Sequence, residues 1–144
     1  GCKVAIIRIG LVLANNGGAL PVLVKPVKFG IGSGFGSGNQ WQSWIHLQDL
    51  AGIFVYALQN KLEGIYNGVA PNAVSNIELI KVTAKVLKRP LILPNIPIFV
   101  LRWLLGEMHI LLSQSQRVSS HKIESEGFNF KFANLKPALE DLLT

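Results

Sequence analysis

Apolar side chains run almost unbroken through residues 3–9, "KVAIIRI", a β-branched stretch suited to a strand buried on both faces of a parallel sheet. Such a strand needs cover on each side, so the pattern predicts a segment that belongs to something longer. "GLVLANNGGALP" follows, and its Asn15, Asn16, Gly17 and Gly18 read as a turn or flexible loop ahead of a helix over 19–28. Glycine then recurs at 30, 32, 34, 36 and 38 before "WQSWIHL" (41–47), a predicted strand. "QDLAGIFVYALQN" has helical spacing, with Ala51, Phe54, Val55 and Leu58 expected inward and Asp49 favoured by the helix dipole in the first turn. "GIYNGVA" (64–70) is a further short strand. In "SNIELIKVTAKVLKRP", Ser75 and Glu78 form a capping box, Ile77, Ile80, Ala84 and Leu87 a stripe, and Pro90 a stop. Past Pro90 the pattern predicts a strand and a Trp103 helix within 91–105, a helix from about Ser119 stopped by Gly127, a strand at "FNFKF" and a closing amphipathic helix at "LKPALEDLL". Strands alternating with helices define an α/β fold.

Composition narrows the function. An apolar content of 49% with 15% charge in 144 residues supports one ordinary globular core. A single cysteine, Cys2, excludes an internal disulfide and a multi-cysteine metal site. Net charge is +6, and the first 48 residues carry Lys3, Arg8, Lys25 and Lys28 with no carboxylate. These cations are spread along an apolar, glycine-rich segment rather than clustered or interleaved with aromatics, which points away from nucleic acid and toward a phosphorylated small molecule. "LILPNIPIFVLRWLL" is broken by Pro94, Pro97 and Arg102 and is too short to span a bilayer. No basic segment followed by an apolar core opens the chain, so a cytoplasmic location is expected.

Few groups are arranged for catalysis. The alternating glycines miss the Gly-x-Gly-x-x-Gly register of a dinucleotide fingerprint, and no Gly-Lys-Ser/Thr follows them. The Gly-Ser-Gly triplets lack the spacing of a nucleophile elbow. His46, His109 and His121 are too dispersed for a metal site. His109 and His121 read as surface residues. His46 ends a predicted strand, where α/β enzymes place ligands, although a buried histidine bonded to backbone fits the same apolar surroundings. A Tyr-x-x-x-Lys pair is absent, since Asn60 follows Tyr56 and Ala70 follows Tyr66 at that spacing.

Four stretches in fixed order, "RIGLVLANNGGAL", "GSGNQWQSWIHLQDLAGIFVYALQN", "GIYNGVAPNAVSNIEL" and "SQRVSSHKIESEGFNFKF", resemble the C-terminal part of the epimerase-like branch of the extended short-chain dehydrogenases/reductases, and the resemblance covers essentially the whole chain. It implies the C-terminal portion of a Rossmann-like doubly wound domain (1–70) followed by a small α+β substrate-side subdomain (71–144). It implies NAD or NADP as cofactor, a small-molecule substrate, and an N-terminal cofactor-binding half that holds the glycine fingerprint and the catalytic Ser/Thr, Tyr and Lys. On this resemblance Gly10, Leu11, Val12 and Leu13 match the strand end and loop whose backbone lines the nicotinamide side. "WIHLQD" (44–49) is similar to the family's Phe-Ile-His-Val-Asp-Asp segment, so that Gln42, Trp44 and His46 shape the substrate wall. Arg117 meets an anionic group or makes a surface ion pair, and the glycines form a mobile connection over the substrate side. Gln42-Ser43 stands where many nucleotide-sugar relatives have Arg-Asp, which removes a bidentate phosphate contact, and Ser115 stands where relatives tend to have glycine. The implied function is the substrate-side part of an NAD(P)-dependent epimerase or oxidoreductase. A non-catalytic interaction module is the competing class.

Overall fold

The computed structural model describes residues 1–108, 110 and 115–144; His109 lies outside them. Strand β1 (Ala5–Ile9) pairs in parallel with β6 (Gly64–Gly68), Ala5 opposite Gly64 and Ile9 opposite Gly68. After Gly10 the chain re-enters a second sheet. There β2 (Leu11–Ala14) lies between β3 (Gly17–Gly18), antiparallel across the Asn15-Asn16 turn, and β5 (Trp44–His46), parallel. Strand β4 (Trp41–Gln42) pairs antiparallel with β7 (Val74–Ser75). The stretch 41–47 is thus two short strands divided at Ser43, with Leu47 already helical, because its two ends pair with different partners.

Strand β1 differs from the expectation of burial on both faces. Ala5 and Ile7 pack toward helix α2 (Leu47–Gln59), while Val4, Ile6 and Ile9 are 61%, 53% and 51% exposed. Helix α1 (Ala19–Lys28) occupies the predicted span and buries Leu20, Leu23, Val24 and Val27. Helix α2 faces inward with Leu50, Ile53 and Ala57, whereas Ala51, Phe54, Val55 and Leu58, expected inside, lie on its outer side. Two apolar stripes compete on this helix, and Asp49 goes inward with the one that wins. Helix α3 (Asn76–Leu87) starts as predicted, the Ser75 hydroxyl accepting the Glu78 N–H at 3.3 Å, and it buries Ile80 and Ala84 together with Asn76, Leu79 and Thr83. Its end is set by Lys88 in the left-handed conformation (φ 55), ahead of Pro90.

In 91–105 the predicted strand is reduced to an isolated bridge between Phe35 and Ile96, followed by α4 (Ile98–Leu105). Helix α5 (His121–Ser125) begins two residues later than predicted, with His121 exposed. "FNFKF" forms no strand among the described residues. Its alternation survives in packing, since Phe128 and Phe130 lean on the α2 core and Phe132 is buried in the other one. Helix α6 (Leu135–Leu143) closes the chain. The larger core joins α1, α3 and α6 around Leu13 and Trp44, so residues on both sides of position 70 share it; the smaller joins β5, β6, α2 and Ile123.

The glycine-rich connection is pinned rather than free. Phe35 is buried, and its N–H donates to the Asn76 side chain at 2.8 Å. Gly36 donates to the Ile96 carbonyl, Ile96 donates to that of Gly34, and Ile77 to that of Gly38. A Cβ at Gly34 would lie 2.6 Å from Asn95 Oδ1 and 2.9 Å from Ile77 Cδ1, so glycine here leaves room for these two side chains.

Candidate functional site

A cavity of about 300 Å³ opens where β1 passes into β2. Ile9, Gly10, Leu11 and Val12 form one wall and Trp41, Gln42 and Ser43 the other. The two walls are hydrogen-bonded to each other, since Leu11 N–H donates to the Ser43 carbonyl at 2.8 Å. Gly10 makes this approach possible: a Cβ there would collide with the Ser43 carbonyl and lie 2.6 Å from Val69 Cγ1.

A third side comes from residues far along the chain. Gln116 N–H donates to the Trp41 carbonyl at 2.9 Å, Trp41 N–H donates to Ser115 Oγ at 3.0 Å, and Ser43 Oγ donates to the Gln116 carbonyl at 2.9 Å while accepting Val118 N–H at 2.8 Å. Segment 115–118 therefore runs beside 41–43 and brings Gln116 to the cavity and Arg117 to its edge. The Arg117 guanidinium stands 4.3 Å from the centre of the Trp41 ring, a cation–π contact. Ser115, which had no role in the sequence, supplies a hydroxyl that glycine lacks.

Of the residues singled out in the sequence, Gly10, Leu11, Val12 and Gln42 line one cavity. Leu13 is fully buried in the core behind it. Trp44 is also fully buried, its indole N–H donating to the Asn72 carbonyl at 2.9 Å. His46 is 1% exposed and caps α2: Nδ1 accepts the Gln48 N–H at 2.9 Å, which leaves the ring proton on Nε2, 2.9 Å from Asp141 Oδ2. Its ring is stacked on Phe132 at 4.1 Å. Trp44 and His46 thus stand behind the cavity walls. Asp49, one turn on, is 3% exposed, and its two carboxylate oxygens accept the Lys131 and Phe132 N–H groups, each at 2.8 Å. Sequence reasoning missed Ser43 and Gln116, whose contacts span more than seventy residues with no local pattern. Among the described residues no cluster of His, Cys, Asp and Glu could hold a metal ion, and no helix is long and apolar enough to cross a membrane.

The model of a domain of unknown function, DUF1731, matches residues 96–142. Over 140 residues the chain is 38% identical to epimerase family protein SDR39U1 of Mus musculus, covering 96% of this chain and 47% of that protein. The crystal structure of human SDR39U1 (isoform 2) with NADPH superposes with a TM-score of 0.89 at 34% identity, over 97% of this chain and 48% of that one. A nucleoside-diphosphate sugar epimerase from Corynebacterium glutamicum superposes with a TM-score of 0.75 at 30% identity, over 98% of this chain and 26% of that one. The chain spans about half the length of the curated relatives it matches. Sequence and fold agree: over nearly its whole length the chain aligns with the C-terminal part of epimerase-like members of the short-chain dehydrogenase/reductase family.

Proposed function

We propose that this chain is the substrate-side part of an NAD(P)-dependent epimerase or oxidoreductase acting on a small molecule, working with an N-terminal half that binds the cofactor and carries the proton-transfer groups. The observation that supports it best is the cavity between Gly10–Val12 and Trp41–Ser43, in a chain so similar in structure to a relative solved with NADPH. The described lining is uncharged and has no side chain at Gly10, which fits the edge of a flat nicotinamide ring. When bound, NAD or NADP supplies the hydride acceptor or donor. The chain's own contribution is positional. The backbone of Gly10, Leu11 and Val12 borders the cofactor edge, with Leu13 anchoring it in the core. Gln42 forms the substrate wall, braced from behind by Trp44 and His46. Arg117, at the rim, meets an anionic group of the ligand.

The N-terminal half has a place to dock. Only β6 pairs with β1 among the described residues, and Val4, Ile6 and Ile65 stand exposed there. An open strand edge and an apolar sheet face call for further strands and a covering helix. The division into a Rossmann portion (1–70) and a substrate-side portion (71–144) belongs to the same proposal, as does a cytoplasmic location. Titration of NADPH and NADH into the full-length polypeptide carrying this chain tests the reading. Saturable binding of one of them is expected, and binding of neither removes the enzyme.

A further inference from the structure

The described side chains around the 300 Å³ cavity are all uncharged: Ile9, Leu11, Val12, Trp41 and Ile110 are apolar, and the polar groups are those of Gln42, Ser43 and Gln116. The Ser43 hydroxyl is already committed to segment 116–118. Cations lie next door. A second cavity of about 470 Å³ shares Ile9, Gly10 and Gln116 with the first and carries Arg8 and Arg117. Arg117 is held against the Trp41 ring and does not line the first cavity.

A multiply charged group brought between these walls would lose water without gaining a charge-assisted bond from the described lining. An uncharged ligand loses little and gains apolar contact with Ile9, Val12 and Trp41. The volume is at the low end of small-molecule sites. Resting on the oxidoreductase reading above, we propose that the part of the substrate held between Gly10–Val12 and Trp41–Ser43 is a small uncharged hydroxy or keto group on an apolar body, met by the Gln116 carboxamide. Any anion the substrate carries is confined to its far end, beside Arg8 and Arg117.

The test follows the Trp41 indole N–H resonance in the full-length polypeptide, with and without NADPH, during titration of cyclohexanone as an uncharged probe and of UDP as a diphosphate probe. Cyclohexanone is expected to shift the resonance saturably in the millimolar range, with a midpoint that UDP, seated beside Arg8 and Arg117, leaves unchanged. Gln116→Arg, at an exposed position on the cavity rim, should strengthen UDP binding at least about tenfold, as a guanidinium added near a phosphate does. UDP raising the cyclohexanone midpoint, no response to cyclohexanone, or no gain in UDP affinity in the variant would each overturn the proposal. Failure of NADPH to bind would instead remove the oxidoreductase reading, while the Trp41 response still decides the character of the cavity.

Discussion

Residues 41–43 and residues 46–49 are neighbours in sequence that hold different parts of the chain. The first group faces a cavity, and its polar atoms hold segment 115–118 in place along the rim. In the second group His46 and Asp49 are buried between the exposed Leu47 and Gln48, and they hold the C-terminal tail: Asp49 takes two N–H groups of 131–132, and His46 links the first turn of α2 to Phe132 and Asp141. Between them lie Trp44 and Ile45 of β5, both fully buried. A ligand wall is thus built on a clasp. The clasp ties the start of α2 to the C-terminal tail, whereas the wall borders an open cavity.

The largest effect should come from the clasp. Asp49→Ala leaves two inward backbone N–H groups without an acceptor, and about 3 kcal/mol of stability should be lost in urea unfolding. A loss under about 1 kcal/mol would mean that water replaces the carboxylate and the clasp is not closed. His46→Ala removes a helix cap and an aromatic stack and should cost about 2 kcal/mol. Asp141→Asn, at a half-exposed position, keeps the Nε2–H acceptor and should cost less than about 1 kcal/mol. Equal costs for the two would place the energy in the His46–Asp141 hydrogen bond rather than in the cap and stack.

The contrast also explains what could be read from the sequence. Helix α3 was legible because Ser75 and Glu78 are three residues apart and the cap is a local bond. The closing helix was legible from its periodic apolar face. The inward face of α2 was not: Phe54, Val55 and Leu58 make as good a stripe as Leu50, Ile53 and Ala57, and only the sheet on which the helix rests selects between them. "FNFKF" had strand alternation without a strand, because its N–H groups at Lys131 and Phe132 go to Asp49 instead of a neighbouring backbone. Gly10, Leu11, Val12 and Gln42 could be marked through family motifs, which record position in a fold. Ser43, Ser115 and Gln116 could not, since each acts through a partner more than seventy residues away.

Smaller effects sharpen the difference between wall and clasp. Ser115→Gly deletes the acceptor for Trp41 N–H at an exposed strand edge. It should cost about 0.5–1 kcal/mol, and it should loosen 115–118 in hydrogen exchange without altering protection at 128–132. The smallest expected signal lies in the α2 core at high pH. Burial, followed by the Glu126 carboxylate at hydrogen-bond distance and the charges of Glu126 and Glu63, raises the Tyr66 phenol above its ordinary value of 10.0. The folded state therefore holds this proton more tightly than the unfolded chain. Its contribution is complete below the unfolded value and is lost as pH rises through the folded one. Tyr66→Phe should accordingly show a shallower fall in stability above about pH 10 than the parent; identical slopes would mean that another group carries the alkaline transition.

The most direct test of a wall carried on a separate clasp is hydrogen–deuterium exchange of the full-length polypeptide with and without saturating NADPH. Protection should rise at 10–13 and 41–43 and stay unchanged at 128–132, where the Asp49 carboxylate already holds the backbone. Protection gained chiefly at 128–132, or none at 10–13, would contradict the account.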